Sequence, residues 1–287
     1  MPVRGKAEAV PSVLARPETC IVCGGALEPE AGVAARCRRC GLLHNLGTHA
    51  LDYRDGGGQA APDAGKMHWR LVNARRRFAL IAPFLRPSHR TFVDIGCGSG
   101  EMLIAARAYG LAPVGFDTNR PLIAWLRTRI DEPVFDTPFD ALLIPDREQD
   151  AGAGRVFSLA HVIEHLDAPL ELVSRVRAAM RPGDLLFIEV PLATGRSFRT
   201  LGYRWNMWNP EHVALYTLPA LDALAERVGL RVLSRGTRIF ARGSHSGSTR
   251  LALLGRQPVA ALRAALARDH LSIADRLIAD YGFVVLA

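Results

Sequence analysis

Four cysteines stand in two C-x2-C pairs, Cys20 with Cys23 and Cys37 with Cys40, and glycine follows each pair. Four thiolates at this spacing suit one tetrahedral Zn2+, the glycine permitting the tight turn that aims two sulfurs at a shared ion. Four protein ligands leave no open coordination position, so such a zinc is structural. A fifth cysteine, Cys97, makes the count odd, which argues against a disulfide framework and for a reducing compartment. Cys97 lies in "VDIGCGSGE", residues 93–101, where an apolar run carrying Asp94 leads into Gly96, Gly98 and Gly100.

Two ligands compete for that glycine turn. A nicotinamide dinucleotide needs G-x-G-x-x-G, and here Glu101 occupies the place of the third glycine. A glutamate at a helix N-terminus opposes a diphosphate but accommodates a phosphate-free ligand with a positive centre. S-adenosylmethionine, with its sulfonium, ammonium and ribose, is such a ligand, and Asp94 is placed to order the turn and the amino-acid part. Nineteen residues beyond Gly98 the run "PVGFD" ends in Asp117, a carboxylate positioned to accept both ribose hydroxyls.

Methyl transfer is an in-line displacement, so the nucleophile must be aligned and, for a hydroxyl or carbon acid, deprotonated. Two segments carry suitable histidines. "AHVIEHL" (160–166) places His161 near the cofactor, with Glu164 and His165 opening the next helix. "GYRWNMWNPEHVALYT" (202–217) offers Tyr203, Trp205 and Trp208 as flat walls for a sugar or ring, and Glu211 beside His212 as an acid–histidine pair.

The elements that must hold these residues alternate along the chain. A helix is expected over 67–85, then strand 91–96, helix 101–110, strand 112–117, helix 120–130 and a short strand at 133–135. Strand 155–162, helix 168–180 and strand 185–191 follow, and helix 218–228 precedes the strand-like runs "RVLSRG" and "RIFARG". This pattern specifies an α/β fold, a Rossmann-like, mostly parallel seven-stranded sheet with helices on both faces, preceded by a small zinc ribbon. The expected division is a flexible leader at 1–17, the ribbon at 18–46, a linker at 47–66, the main domain at 67–250 and a helical extension at 251–287.

Composition is that of a globular protein, 49% hydrophobic and 22% charged. Of 36 basic residues only Lys6 and Lys66 are lysines, and the arginines are scattered apart from 36–40 and 73–78. The net charge of +8 therefore reads as codon bias before it reads as phosphate binding. No run of about 18 apolar residues is present, and charges and three prolines break up the first twenty residues. A soluble, cytoplasmic protein is expected.

Together "FVDIGCGSG", "VGFD", "HVIEHLDAP", "RPGDLLFIEVP" and "NPEHVALYT" resemble the class I S-adenosylmethionine-dependent methyltransferases. The match is closer to a bacterial subgroup with a Glu-His segment after the fourth strand and a four-cysteine ribbon in front, commonly associated with sugars, polysaccharides and natural products. The resemblance covers roughly 67–240, and 18–46 in type. It implies cofactor contacts from Asp94, Gly96, Cys97, Gly98 and Asp117, and a base at His212, with Glu211 orienting it or binding substrate; His165 is second. On the adenine side Asp136 and Asp140 both remain candidates, and Gly154–Arg155 stands where the family usually has an aspartate. The function implied is methylation of a hydroxyl, or a carbon, of a small molecule or glycan. An RNA methyltransferase gripping nucleic acid with ribbon and arginines is the alternative, and an inactive binding protein on the same fold the third. No Asn-Pro-Pro-aromatic run follows strand four, which disfavours methylation of exocyclic base nitrogens.

Overall fold

A computed structural model describes residues 17–47, 60–145, 152–238 and 279–287. The expected leader apart from residue 17, most of the linker, the run "RIFARG" beyond Arg238 and the extension up to 278 lie outside the described residues.

Three short antiparallel strands open the structure: β1 (Leu27–Glu30), β2 (Ala34–Cys37) and β3 (Leu43–Asn45). Helix α1 (Ala64–Ile81) follows, beginning three residues before the expected start because Asp63 caps it by accepting the Lys66 amide. The expected alternation comes next: β4 (His89–Ile95), α2 (Glu101–Arg107), β5 (Ala112–Phe116), α3 (Arg120–Arg127) and β6 (Val134–Phe135). It continues through β7 (Gly154–Ala160), α4 (Pro169–Ala179) and β8 (Leu185–Pro191). Then come α5 (Arg196–Leu201), β9 (Ala214–Leu215), α6 (Leu218–Arg227), β10 (Val232–Arg238) and β11 (Tyr281–Leu286).

The large sheet has seven strands in the order β10-β11-β8-β7-β4-β5-β6. β4 to β8 run parallel, and β11 is antiparallel to both its neighbours. Neighbouring residues of one strand feed cores on opposite faces, as Phe92 and Val93, Val156 and Phe157, and Phe187 and Ile188 do. On one face α1, α2 and α3 supply Phe78, Leu103 and Leu126; on the other α4 and α6 supply Val173 and Leu221. Burial on both faces explains why these strands read as continuous apolar runs.

Two expectations need correction. The tail is not helical to its end: 281–286 form β11, a wholly buried strand seated between β8 and β10. A short apolar run without alternation does not distinguish helix from strand by itself. The ribbon is also not a separate module. β3 pairs with β9, Leu43 opposite Leu215 and His44 opposite Ala214, giving a four-stranded sheet shared between ribbon and main domain. Cys20, Cys23, Cys37 and Cys40 are buried in the same core as Tyr216 and α6. No helix among the described residues is long and apolar enough to cross a membrane.

Candidate functional site

Strand order in the large sheet reverses between β4 and β7, and an open parallel sheet receives its ligand beyond the carboxyl ends of the strands at such a point. β4 delivers the chain into the glycine turn, and β7 delivers it to His161. Gly96 and Gly100 have φ of 74° and 79°. A Cβ on Gly96 would lie 2.5 Å from Val162 Cγ2, and one on Gly100 2.7 Å from Leu126 Cδ1. Backbone conformation and close packing both require glycine there. The Gly98 amide donates to Asp117 Oδ2 at 2.9 Å and the Asn119 amide to Asp117 Oδ1 at 2.8 Å, which locks the acid after β5 against the turn.

Two cavities meet at this corner, sharing Gly96 and His161. The first, about 670 Å3, is bounded by Lys66 and Arg70 of α1 and by Asp94, Cys97, Gly98 and Glu101. Its wall carries both signs of charge, which fits the zwitterionic amino-acid end of S-adenosylmethionine. Arg70 Nη1 donates to Ser99 Oγ at 2.5 Å, and Ser99 in turn donates to Glu101 Oε2 at 2.7 Å. Burial pushes the Asp94 carboxyl up to about 8, with the nearby Glu101 carboxylate acting in the same direction. The second cavity, about 460 Å3, has Asp117 at one edge, Phe116, Leu122 and Phe139 as apolar walls, and His165 with Glu211 at the other edge. Ribose and adenine suit that wall. Neither Asp136 nor Asp140 lines it: Asp136 pairs with Arg127 at 2.9 Å, and Asp140 accepts the Leu142 amide. At the start of β7 a Cβ on Gly154 would meet His89 Cδ2 at 2.9 Å, and Arg155 pairs with buried Asp184, so these residues are structural.

His161 bridges two buried acids. Its Nδ1 lies 2.9 Å from Glu164 Oε1 and its Nε2 3.2 Å from Glu189 Oε1. Burial alone would push its pKa down, but the two carboxylates outweigh that and hold it above the ordinary value. His161 lines both cavities and is held at a φ of 60° that is uncommon outside glycine. Glu189, in the middle of β8, also binds Arg77 Nε and Arg238 Nη1, each at 2.7 Å, and Arg238 Nη2 reaches Asn73 Oδ1 at 3.2 Å. Sequence reasoning missed this network. In sequence Arg77 belongs to the basic run at 73–78, and Glu189 lies inside an apolar strand. The available signal was the lone acid inside "LLFIEVP".

The expected Glu211–His212 pair does not form. His212 is buried and lines neither cavity, and its Nδ1 donates to Met207 O at 2.6 Å. Burial pushes its pKa down to about 4. His165 instead faces the second cavity, its Nδ1 donating to Glu211 O at 3.0 Å, and its ring packs edge-on against His212 with centroids 4.6 Å apart. Tyr203, Trp205 and Trp208 of the aromatic loop line neither of these two cavities. Trp205 is buried with Phe198, Leu215 and Ala34, Trp208 and Tyr203 pack against that cluster, and Tyr203 Oη donates to Glu30 Oε1 of the ribbon at 2.8 Å. Large aromatic surface was better used to fix the loop than to await a ligand.

The four ribbon cysteines come together as their spacing implied. Sγ atoms of Cys20 and Cys40 are 3.6 Å apart, those of Cys23 and Cys37 3.3 Å, and all four lie within 4.8 Å of one another. Sulfurs about 2.3 Å from one tetrahedral ion would stand roughly 3.8 Å apart, so the cluster fits Zn2+.

Comparison with known proteins agrees with this geometry. A family model described as a methyltransferase domain matches residues 67–235. A ubiquinone biosynthesis O-methyltransferase of Coxiella burnetii is 24% identical over 184 residues, covering 59% of this chain and 76% of that protein. The crystal structure of a SAM-dependent methyltransferase from Archaeoglobus fulgidus superposes with a TM-score of 0.50 at 18% identity, covering 78% of this chain and 99% of that one, and shares the fold.

Proposed function

This chain belongs to the methyltransferase-domain family as a class I S-adenosylmethionine-dependent enzyme, and from that premise we propose that it methylates a hydroxyl oxygen of a small molecule. The oxygen rests on the name of the Coxiella burnetii relative. The observation that carries the rest is the junction of the two cavities at Gly96 and His161. Asp117 would hold the cofactor's ribose and Arg70, Asp94 and Glu101 its amino-acid end, with Gly96 and His161 between them. The bound cofactor supplies the electrophilic methyl group. Asp117 would accept the ribose hydroxyls, and Phe139 and Leu122 would exclude water from the adenine. His161, held by Glu164 and Glu189, fixes the wall that the two cavities share. The acceptor hydroxyl is activated at the His165 edge. Because a carbonyl can only accept, His165 Nδ1 carries the proton and a neutral ring presents its Nε2 lone pair. His165 therefore replaces His212 as the first choice for activating the acceptor.

Two results test the cofactor half of this reading. Asp117→Ala should weaken S-adenosylhomocysteine binding by about tenfold or more in calorimetric titration, the cost of leaving ribose hydroxyls without a charged partner. Equal affinities would remove Asp117 from the site. The second test uses Asp94. Free, it is mostly protonated at pH 7. A cationic cofactor lowers its pKa, so binding S-adenosylmethionine should release a proton there, and affinity should rise with pH until about 8. Binding heats that do not vary with the ionisation enthalpy of the buffer would contradict this.

A further inference from the structure

A buried histidine stands beside the cysteine site. His44, the middle residue of β3, is 1% exposed, and neither of its ring nitrogens has a hydrogen-bond partner among the described residues. A buried imidazole N–H that nothing receives is costly, so an acceptor is needed within its reach. Strand periodicity says where to look, because successive residues point to opposite faces. Leu43 packs with Ala34, Leu215 and Trp205. Ala214, the partner of His44 on β9, instead packs in the core that holds Cys20, Cys23, Cys37 and Cys40. His44 therefore faces the sulfurs. Cys20 responds to that approach: the Cys40 thiol most, and the His44 ring after it, hold the Cys20 thiol below its ordinary pKa against the opposing effect of burial. His44 is not itself a ligand, since it stands outside the group of four sulfurs gathered within 4.8 Å of one another.

We propose that His44 is a positioning residue of the ribbon's metal site, its ring N–H donating to the metal-bound thiolate of Cys20 and so tying the metal to β3. Four thiolates outweigh the charge of Zn2+, and the surplus negative charge is buried with the sulfurs. Donors around the cluster offset it. The Cys40 amide does so at Cys37 Sγ, 3.5 Å away. A neutral imidazole does the same at Cys20 without adding a ligand, and an ionised sulfur accepts more strongly than a thiol. Hydrogen bonds of this outer kind orient the ligands and raise metal affinity. The next residue of β3 serves the other face of the strand: Asn45 Nδ2 holds Asn209 O and His212 O. Adjacent residues of one short strand thus grip the metal and the loop before β9, which gives metal occupancy a direct mechanical route to that loop. The inference rests on the cysteine site and not on the methyl-transfer reading.

The test compares full-length wild type with His44→Phe, which keeps a ring and removes the donor, each loaded with Co2+ in place of zinc. A hydrogen bond lowers the energy of the sulfur lone pairs, so the sulfur-to-cobalt absorption should move to longer wavelength in His44→Phe. Competition with a chelator should show zinc held about tenfold or more weakly. His44→Asn and His44→Gln place an amide N–H near one ring nitrogen or the other. One of them should restore the wild-type band and most of the affinity. Thermal melting of the zinc-loaded variants establishes that each is folded. A folded His44→Phe with wild-type band and affinity overturns the proposal. So does an affinity loss common to all three variants without a band shift, which would mean that His44 only fills space. Should His44→Phe not fold, the two amides decide: one should keep the wild-type band and the other shift it, and identical bands overturn the proposal. A wild type that takes up no Co2+ with sulfur ligation overturns it as well, and leaves the methyltransferase reading standing.

Discussion

Glu189→Gln should destabilise the protein by about 3–5 kcal/mol, read from the midpoint of urea unfolding at neutral pH. The substitution barely changes shape, but it leaves Arg77, Arg238 and His161 around a neutral, wholly buried amide. Removing one partner of a buried ionic cluster costs more than the cluster contributes, because the remaining charges stay desolvated. The pH dependence carries a sign. Burial alone would raise the pKa of Glu189, yet the two arginines and His161 hold it well below the ordinary 4.5. Its contribution is therefore complete above about pH 4.5 and is lost as pH falls toward the folded value. The gap between wild type and Glu189→Gln should narrow in acid. A variant as stable as wild type at pH 7 would mean that the cluster relaxes by admitting water.

Stripping the cysteine site should abolish methyl transfer far more than it weakens cofactor binding. Asn45 Nδ2 of the ribbon holds both Asn209 O and His212 O, at 2.9 and 3.1 Å, and Thr217 Oγ1 donates to Cys40 O at 2.5 Å. Tyr203 is tied to Glu30, and β3 is paired with β9. These contacts set the loop that carries Glu211 and His212, whereas Asp94, Asp117 and the glycine turn depend on β4 and β5. Misplacing a positioning element by about 1 Å can cost about 100-fold in rate. Chelated protein, or Cys23→Ser with Cys37→Ser, should therefore lose about 100-fold or more in turnover while S-adenosylhomocysteine affinity changes by a few-fold at most. Equal losses in both measurements would mean that the ribbon supports the whole domain and not the acceptor side alone.

What the sequence disclosed follows from range. The glycine turn, Asp117, the cysteine pairs and the alternation of β4 to β8 are each written in one short window, where backbone sterics and ligand spacing act locally. The Glu189 cluster joins residues 112 and 49 positions apart, and no local pattern reports such a pairing. The placement of His212 and His165 is hidden from the sequence for a related reason. Both stand beside a glutamate in sequence, and only folding decides that one ring faces a cavity while the other is buried against Met207 O. The burial of Trp205 is equally hidden, because an aromatic cluster in a connection reads alike whether it lines a ligand or packs on its own core.

The placement of β11 bears on how the molecule is made. This strand is the last described element, yet it fills the gap between β8 and β10, bonding Tyr281 to Leu286 along β8. A chain emerging from the ribosome must leave that gap open until synthesis has passed residue 286, with the apolar edge of β8 unpaired meanwhile. Assembly of the sheet thus cannot finish before β11 has been made, and chaperone engagement should fall on intermediates whose synthesis has stopped after β10.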